Sequence, residues 1–145
     1  MIRVIVADDH PIVRSGIVGL IDLDPSLEVV GQAASGPEAV ELSARLHPDV
    51  VLICTPPAPH REQALAAFAA GAHVIVEKPP ATSLDELDDM RAAAEAAGRQ
   101  LAVVFQQRTG TAAAHVRGLL QGGALGRPLV AVCQTLWFRD ADYFA

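Results

Sequence analysis

Short runs of apolar, mostly β-branched residues alternate with segments of helical periodicity along most of this chain of 145 residues. The first run, IRVIVA at residues 2–7, has the composition of a strand that is covered on both faces of a sheet. Four later runs of this kind are predicted at residues 28–33, 49–53, 72–77 and 100–105. Strands separated by helices in this way predict a doubly wound, three-layer α/β/α fold with a parallel sheet.

The segments between the strands carry start and stop signals for helices. SGPE at residues 35–38 and SLDE at residues 83–86 have the spacing of a capping box, in which the serine accepts a hydrogen bond from the backbone three residues later. Gly71 and Gly98 are predicted to follow the helices that precede the fourth and fifth strands. One more helix is predicted at residues 111–121.

The first helix is predicted to present one apolar stripe to the core. Its pairs Ile12/Val13, Gly16/Ile17 and Leu20/Ile21 recur every four residues, until Asp24-Pro25 ends the helix. At the other end of the chain, residues 129–139 (LVAVCQTLWFR) are predicted to form a long final strand.

Charge and cysteine content exclude several classes of function. The net charge of -6 and the lack of a basic patch argue against binding to nucleic acid or to an anionic membrane surface. Cys54 and Cys133 are far apart and have no metal-ligand spacing, so we expect two reduced thiols. Met1 leads directly into the first strand without a signal peptide, and no apolar run could span a bilayer. A cytoplasmic protein is therefore expected.

Asp8 and Asp9 follow the first strand, where ligands of doubly wound sheets bind. Two carboxylates there suit a hard cation such as Mg²⁺, although solvated loop acids have the same pattern. Residues 1–53 resemble a NarL/FixJ-type response-regulator receiver. The resemblance rests on the acidic pair and on the segments DHPIVRSG, EVVGQA and PDVVL. The resemblance implies Mg²⁺ at the acidic pair and a phosphorylated aspartate after the third strand. Cys54 stands at that position, so we expect phosphotransfer to be absent.

From about residue 50 onward the chain resembles a different family. Three segments carry this second resemblance: the loop TPPAPH, AGAHVIVEKP and GRQLAVVFQQR. They are similar to the second half of the nucleotide-binding domain of Gfo/Idh/MocA oxidoreductases, which use NAD(P). The resemblance implies that Lys78 lies near the reacting carbon and the substrate oxygen. It also implies that the nicotinamide side of the cofactor cleft is lined by Thr55, Pro56, Pro57 and His60. A second group, called the EKP corner here, consists of Glu77, Lys78 and Pro79.

Two departures from that family argue against hydride transfer. A nucleotide domain needs a glycine-rich turn after its first strand, so that backbone amides can approach the diphosphate. Residues 7–11 (ADDHP) instead supply two carboxylates and a proline. The chain also ends at WFRDADYFA, before a substrate domain. We therefore expect no catalytic residues and no cofactor, with NAD(P) or Mg²⁺ as weak residual ligands at most.

The two resemblances together predict a hybrid joined inside the third strand. We expect one α/β domain over residues 1–145, with a receiver-like part at 1–53, a Rossmann-like part at 54–128 and a remnant of a substrate-domain strand at 129–145. The expected sheet has the flavodoxin-like order 2-1-3-4-5, with the final strand as a candidate sixth.

The expected function follows from this hybrid character: an engineered fold chimera without selected activity and not an enzyme. The alternatives are residual NAD(P) or Mg²⁺ binding, or a natural regulator derived from either family. The final strand is expected to extend the sheet edge or to pair with a second molecule, which gives a monomer or a homodimer.

Overall fold

The computed structural model describes residues 1–134 and residue 138. The chain divides into two compact units, Met1–Phe105 and Gln106–Ala145. This division follows packing, whereas the boundaries predicted after residues 53 and 128 follow resemblance to families and stay predictions.

The first unit contains a parallel five-stranded sheet in the predicted order 2-1-3-4-5. The predicted strand positions are confirmed to within one residue at every end. The observed strands are β1 (Ile2–Ala7), β2 (Leu27–Ala33), β3 (Val50–Ile53), β4 (His73–Glu77) and β5 (Leu101–Val104).

Helices cover both faces of this sheet. One face carries α2, α3 and α4, and Ile5, Ile53 and Val76 from three neighbouring strands are fully buried in the apolar core beneath them. The other face carries α1 alone within this unit. The helices of the unit are α1 (Pro11–Ile21), α2 (Gly36–Leu46), α3 (His60–Ala69) and α4 (Leu84–Ala96).

The predicted helix signals are confirmed. The Ser35 hydroxyl accepts a hydrogen bond from the Glu38 amide at 3.4 Å, and the Ser83 hydroxyl accepts one from the Glu86 amide at 3.2 Å. Gly71 (φ +82°) and Gly98 (φ +62°) follow their helices in the left-handed conformation that only glycine adopts without a steric cost.

The predicted core-facing stripe of α1 is wrong in part. Ile17 and Ile21 are half-buried, but Ile12 is 88% exposed, Leu20 is 70% exposed, and no residue of α1 is fully buried. An apolar stripe two residues wide is buried completely only when other elements of the fold pack along both of its edges. Within the first unit α1 packs mainly against β1 and β2, and the outer members of the stripe remain in solvent.

The second unit contains a 3-10 turn (Gln106–Arg108) and the predicted helix, α5 (Thr111–Gln121). The guanidinium of Arg117 donates to the carbonyl of Arg108 at 2.9 Å. Residues 129–134 form no strand, so the prediction of a final strand is wrong for these residues. The remainder of that prediction, apart from residue 138, lies outside the described residues. No helix in the described part of the chain has the length and apolar character to cross a bilayer.

Candidate functional site

Two carboxylate side chains and a thiol lie in a row at the carboxyl edge of the sheet. Ala7 pairs with Ile53, and Ile53 pairs with Val76, so the next residues along these strands are Asp8, Cys54 and Glu77. The Cys54 amide donates to the Ala7 carbonyl at 2.7 Å, which extends the pairing of β1 and β3 to this level. We call Asp8, Cys54 and Glu77 the acidic row.

Asp8, Asp9 and His10 form a group whose ligand atoms all lie within 4.8 Å of one another. Asp8 is 3% exposed, and one of its carboxylate oxygens accepts the His10 amide at 2.7 Å. The imidazole Nδ1 of His10 lies 3.2 Å from a carboxylate oxygen of Asp9. These oxygen donors have the chemistry of a hydrated Mg²⁺ site, as predicted for Asp8 and Asp9, and His10 is a further donor that the spacing analysis did not include.

Cys54 occupies the middle of the acidic row as an inert thiol. Burial, together with the smaller effect of the nearby charges of Asp8 and Glu77, raises the pKa of Cys54 to about 11. A thiol in this state is neither a nucleophile nor a metal ligand near neutral pH. The half-buried position therefore carries no reactive group, in contrast to the aspartate of a receiver.

This raised pKa makes the stability of the native chain fall at alkaline pH. The folded state favours the protonated thiol, so the contribution of Cys54 to the free energy of unfolding is complete below the ordinary pKa of 9.0 and is lost as the pH rises to about 11. We expect the alkylation rate of native Cys54 to rise through this window, whereas that of the urea-unfolded chain levels off near pH 9.

A Cys133→Ser background makes Cys54 the only thiol, and mass spectrometry after iodoacetamide treatment gives the rate. In unfolding experiments, Cys54→Ser serves as the control, because it retains every other alkaline titration. Equal rate profiles for the folded and the unfolded chain would contradict the raised pKa.

The loop of residues 55–60 presents only part of its predicted surface. Thr55 is buried, and its hydroxyl exchanges hydrogen bonds with the side-chain amide of Gln63 at 2.9 and 3.1 Å. Pro56 is exposed and Pro57 is half-buried. His60 is fully buried, with both ring nitrogens engaged by backbone carbonyls. Thr55 and His60 therefore lie beneath the surface of the predicted nicotinamide side.

The EKP corner follows β4 at the same edge of the sheet. The carboxylate of Glu77 accepts a hydrogen bond from the Lys78 amide at 2.8 Å, which fixes the turn. The side chains of Lys78 and Pro79 are exposed. An exposed ammonium group beside the acidic row can stabilise developing negative charge on a bound molecule, as the resemblance implies for Lys78.

The loop between β1 and α1 does not fit the diphosphate of a dinucleotide. It contains no glycine, and the carboxylates of Asp8 and Asp9 lie at the start of α1, where they repel an anion. Pro11 is the first residue of the helix and lacks an amide hydrogen. The loop before α1 therefore disagrees with a dinucleotide, whatever the residues predicted for the nicotinamide side contribute.

The model of the oxidoreductase family with an NAD-binding Rossmann fold, Gfo/Idh/MocA, matches residues 14–105. This is more than half of the chain, and the chain belongs to that family. The matched range begins after β1 and after the loop that holds Asp8 and Asp9.

Individual relatives come from two groups. D-glucoside 3-dehydrogenase of Escherichia coli K12 is 35% identical over 100 residues, which are 69% of this chain and 28% of that protein. The transcriptional regulatory protein LiaR of Bacillus subtilis 168 is 45% identical over 53 residues, which are 37% of this chain and 25% of that protein. The chain thus spans about a quarter of the length of these curated relatives.

Solved structures agree with the fold. The WlbA dehydrogenase from Bordetella pertussis, solved in complex with NADH and UDP-GlcNAcA, matches with a TM-score of 0.74 at 25% identity, over 87% of this chain and 44% of that one. Together with the two groups of relatives, this identifies the chain as a chimera of a response-regulator receiver fragment and a Gfo/Idh/MocA Rossmann fragment.

Proposed function

We propose that this chain is an engineered fold chimera, which adopts a stable fold but has no selected biochemical activity. The observation that carries the proposal is the acidic row. It holds a protonated thiol where a receiver needs a phosphoacceptor, and Asp8 and Asp9 place negative charge where a dinucleotide needs its diphosphate site. The same edge of the sheet therefore lacks an essential part of each parental site.

The junction, which we define as residues 50–54, supports a deliberate origin. A buried apolar strand is common to both families, so exchanging fragments inside it preserves the neighbours and the crossover hand of β1. A cytoplasmic location fits the proposal, because Cys54 and Cys133 are free thiols.

Residual binding of NAD(P) or Mg²⁺ is the second candidate function. Membership of an NAD-binding family and the exposed Lys78 favour the dinucleotide, while the Asp8–Asp9–His10 group favours the cation. A natural regulator derived from either family is a third reading, and it likewise requires a ligand or a partner at this edge.

A thermal-shift panel tests the proposal. Ligands that bind the native state raise the melting temperature by mass action. We expect Mg²⁺, Mg²⁺ with beryllofluoride, NAD(H) and NADP(H) each to change it by less than about 1 °C. A saturating increase with a dinucleotide would contradict the absence of function and support residual binding.

The Cys54→Asp variant provides the matched control for the cation arm of the panel. It restores a carboxylate between Asp8 and Glu77, and three clustered carboxylates are stabilised by a divalent cation. We expect Mg²⁺ with beryllofluoride to raise the melting temperature of this variant but not that of the parent chain. An equal response of both proteins would show that Cys54 does not replace the acceptor.

Association through the carboxyl-terminal segment 129–139 remains a proposal. Leu129, Val130 and Val132 are 81–86% exposed, and exposed apolar residues of this kind favour pairing with a second molecule. We expect analytical ultracentrifugation to detect a dimer for the full chain and a monomer for a chain that ends at Gly126. Identical monomeric profiles for the two chains would exclude the homodimer.

A further inference from the structure

The face of the sheet opposite α2, α3 and α4 is only partly covered within the first unit. Its helix, α1, packs mainly against β1 and β2. Leu52 pairs with Ile75, and Ile75 pairs with Ala102, so these three side chains form one row across β3, β4 and β5. Val50, two residues before Leu52, points to the same face. We call Val50, Leu52, Ile75 and Ala102 the open face.

The open face is apolar and accessible. Ile75 is 37% exposed and Ala102 is exposed, although both lie within strands, while Val50 and Leu52 are half-buried. Parallel sheets are covered on both faces in nearly all proteins, so this face has the character of a surface that packs against a further element. A cavity of about 460 Å³ lies here, and no carboxylate, lysine or arginine is among its lining residues, which are Val50, His73, Val74, Ile75, Gln100 and Ala102.

The carboxyl-terminal segment has matching chemistry. Residues 129–134 (LVAVCQ) carry no charge, and the side chains of Leu129, Val130 and Val132 are 81–86% exposed. Side chains exposed to this extent bury little apolar surface within their own chain, so a second copy is the available partner. We propose that residues 129–134 of one copy pack on the open face of a second copy, which returns the same contact.

A reciprocal contact of this kind closes into a dimer. Each copy carries one open face and one segment, so a two-fold axis pairs both faces with both segments at once. Both surfaces lack charge, and their contact therefore removes no ionic group from water. This inference rests on the homodimer proposed above and identifies the surface that the segment binds.

The Ile75→Lys variant tests the open face. A lysine at this position places an unpaired charge among apolar side chains, which opposes docking of an apolar segment. We expect the variant to sediment as a monomer at concentrations where the parent chain is a dimer, with a dissociation constant raised at least about tenfold. Leu84→Lys is the matched control, because Leu84 is 78% exposed and begins α4 on the opposite face of the sheet. This control should dimerise like the parent chain.

Ala102→Lys repeats the test at a position that accepts a long side chain. Ala102 is exposed and lies in β5, an edge strand, so the lysine can extend into solvent in the monomer. We expect this variant to weaken the dimer as Ile75→Lys does. Circular dichroism verifies that each variant is folded.

A mixture of two variants shows which surfaces meet. Ile75→Lys has a blocked open face and an intact segment, whereas the double variant Val130→Lys/Val132→Lys has an intact open face and a blocked segment. Neither variant can pair with its own kind, but one contact remains possible between them. We expect a one-to-one complex in the mixture at concentrations where each variant alone is a monomer.

The outcomes separate this inference from the homodimer on which it rests. A monomeric parent chain would overturn both. A dimer that is lost in the Val130→Lys/Val132→Lys variant but retained in Ile75→Lys and Ala102→Lys would preserve the homodimer and overturn the inference, since the segment would then bind another surface. A mixture that associates no more than its separate components would also overturn it.

Discussion

Replacing Ile53 with alanine is expected to lower the free energy of unfolding by about 2–5 kcal/mol. Ile53 is fully buried, pairs with Ala7 on one side and Val76 on the other, and belongs to the core beneath α2, α3 and α4. It lies at the junction, so its side chain contributes to a core shared by the two parental fragments. Urea unfolding of the parent and the variant gives the difference.

Leu52→Ala is the matched control for this substitution. Leu52 is the preceding residue of β3, but it is half-buried and lies on the opposite face of the sheet. We expect its loss to cost about 1 kcal/mol, because less apolar surface is removed from contact. Equal effects of the two substitutions would mean that the core beneath the three helices is not continuous across β3.

The second large effect is expected for Gly36→Ala, with a loss of about 1–3 kcal/mol. A β-carbon at Gly36 would lie 2.8 Å from the side-chain nitrogen of Gln63 and 3.1 Å from the β-carbon of Pro59. Gly36 begins α2 in the receiver-like part, whereas Pro59 and Gln63 belong to the Rossmann-like part. Gln63 is buried and bonded to Thr55, so it cannot move without losing that bond.

Gly16→Ala provides the matched control within the same unit. Gly16 lies inside α1, and a β-carbon there would meet nothing within 4 Å. Alanine at an open helical position is expected to stabilise the chain by about 0.5–1 kcal/mol. The two glycine substitutions should therefore have opposite signs in the same unfolding assay. Stabilisation by both would show that α2 and α3 are not closely packed.

Much of the fold and the arrangement of the site could be predicted from the sequence. Ser35 and Ser83 start their helices because the capping residues and their partners are local in the chain. Asp8, Cys54 and Glu77 meet because the carboxyl ends of neighbouring parallel strands lie at one edge. These features depend on periodicity and strand order, which a sequence records directly.

Other features depend on partners that a pattern of residues does not identify. The spacing of Ile12 and Leu20 predicts an apolar stripe but not whether another element covers it, and both side chains are exposed. The apolar residues at 129–134 have the composition of a strand, but a strand also requires a partner to which its backbone can bond, and composition does not identify one. The burial of His60 was also missed, since its partners are backbone carbonyls, which every residue possesses.

Two fragments from different families are expected to form one cooperative sheet across β3. Native-state hydrogen exchange can measure this cooperativity, because the chain has reporters on each side of the junction. The Asp8 amide is bonded to the Ala33 carbonyl at 3.0 Å within the receiver-like part, and the Val74 amide is bonded to the Gln100 carbonyl at 2.9 Å within the Rossmann-like part.

We expect the most protected amides of the β1–β2 and β4–β5 ladders to open with free energies that agree within about 0.5 kcal/mol, and with the same dependence on denaturant. Cys54, whose amide bonds Ala7 across the junction, should join the same opening event. Two ladders that open independently, with free energies separated by several kcal/mol, would show instead that the two fragments do not form one cooperative sheet.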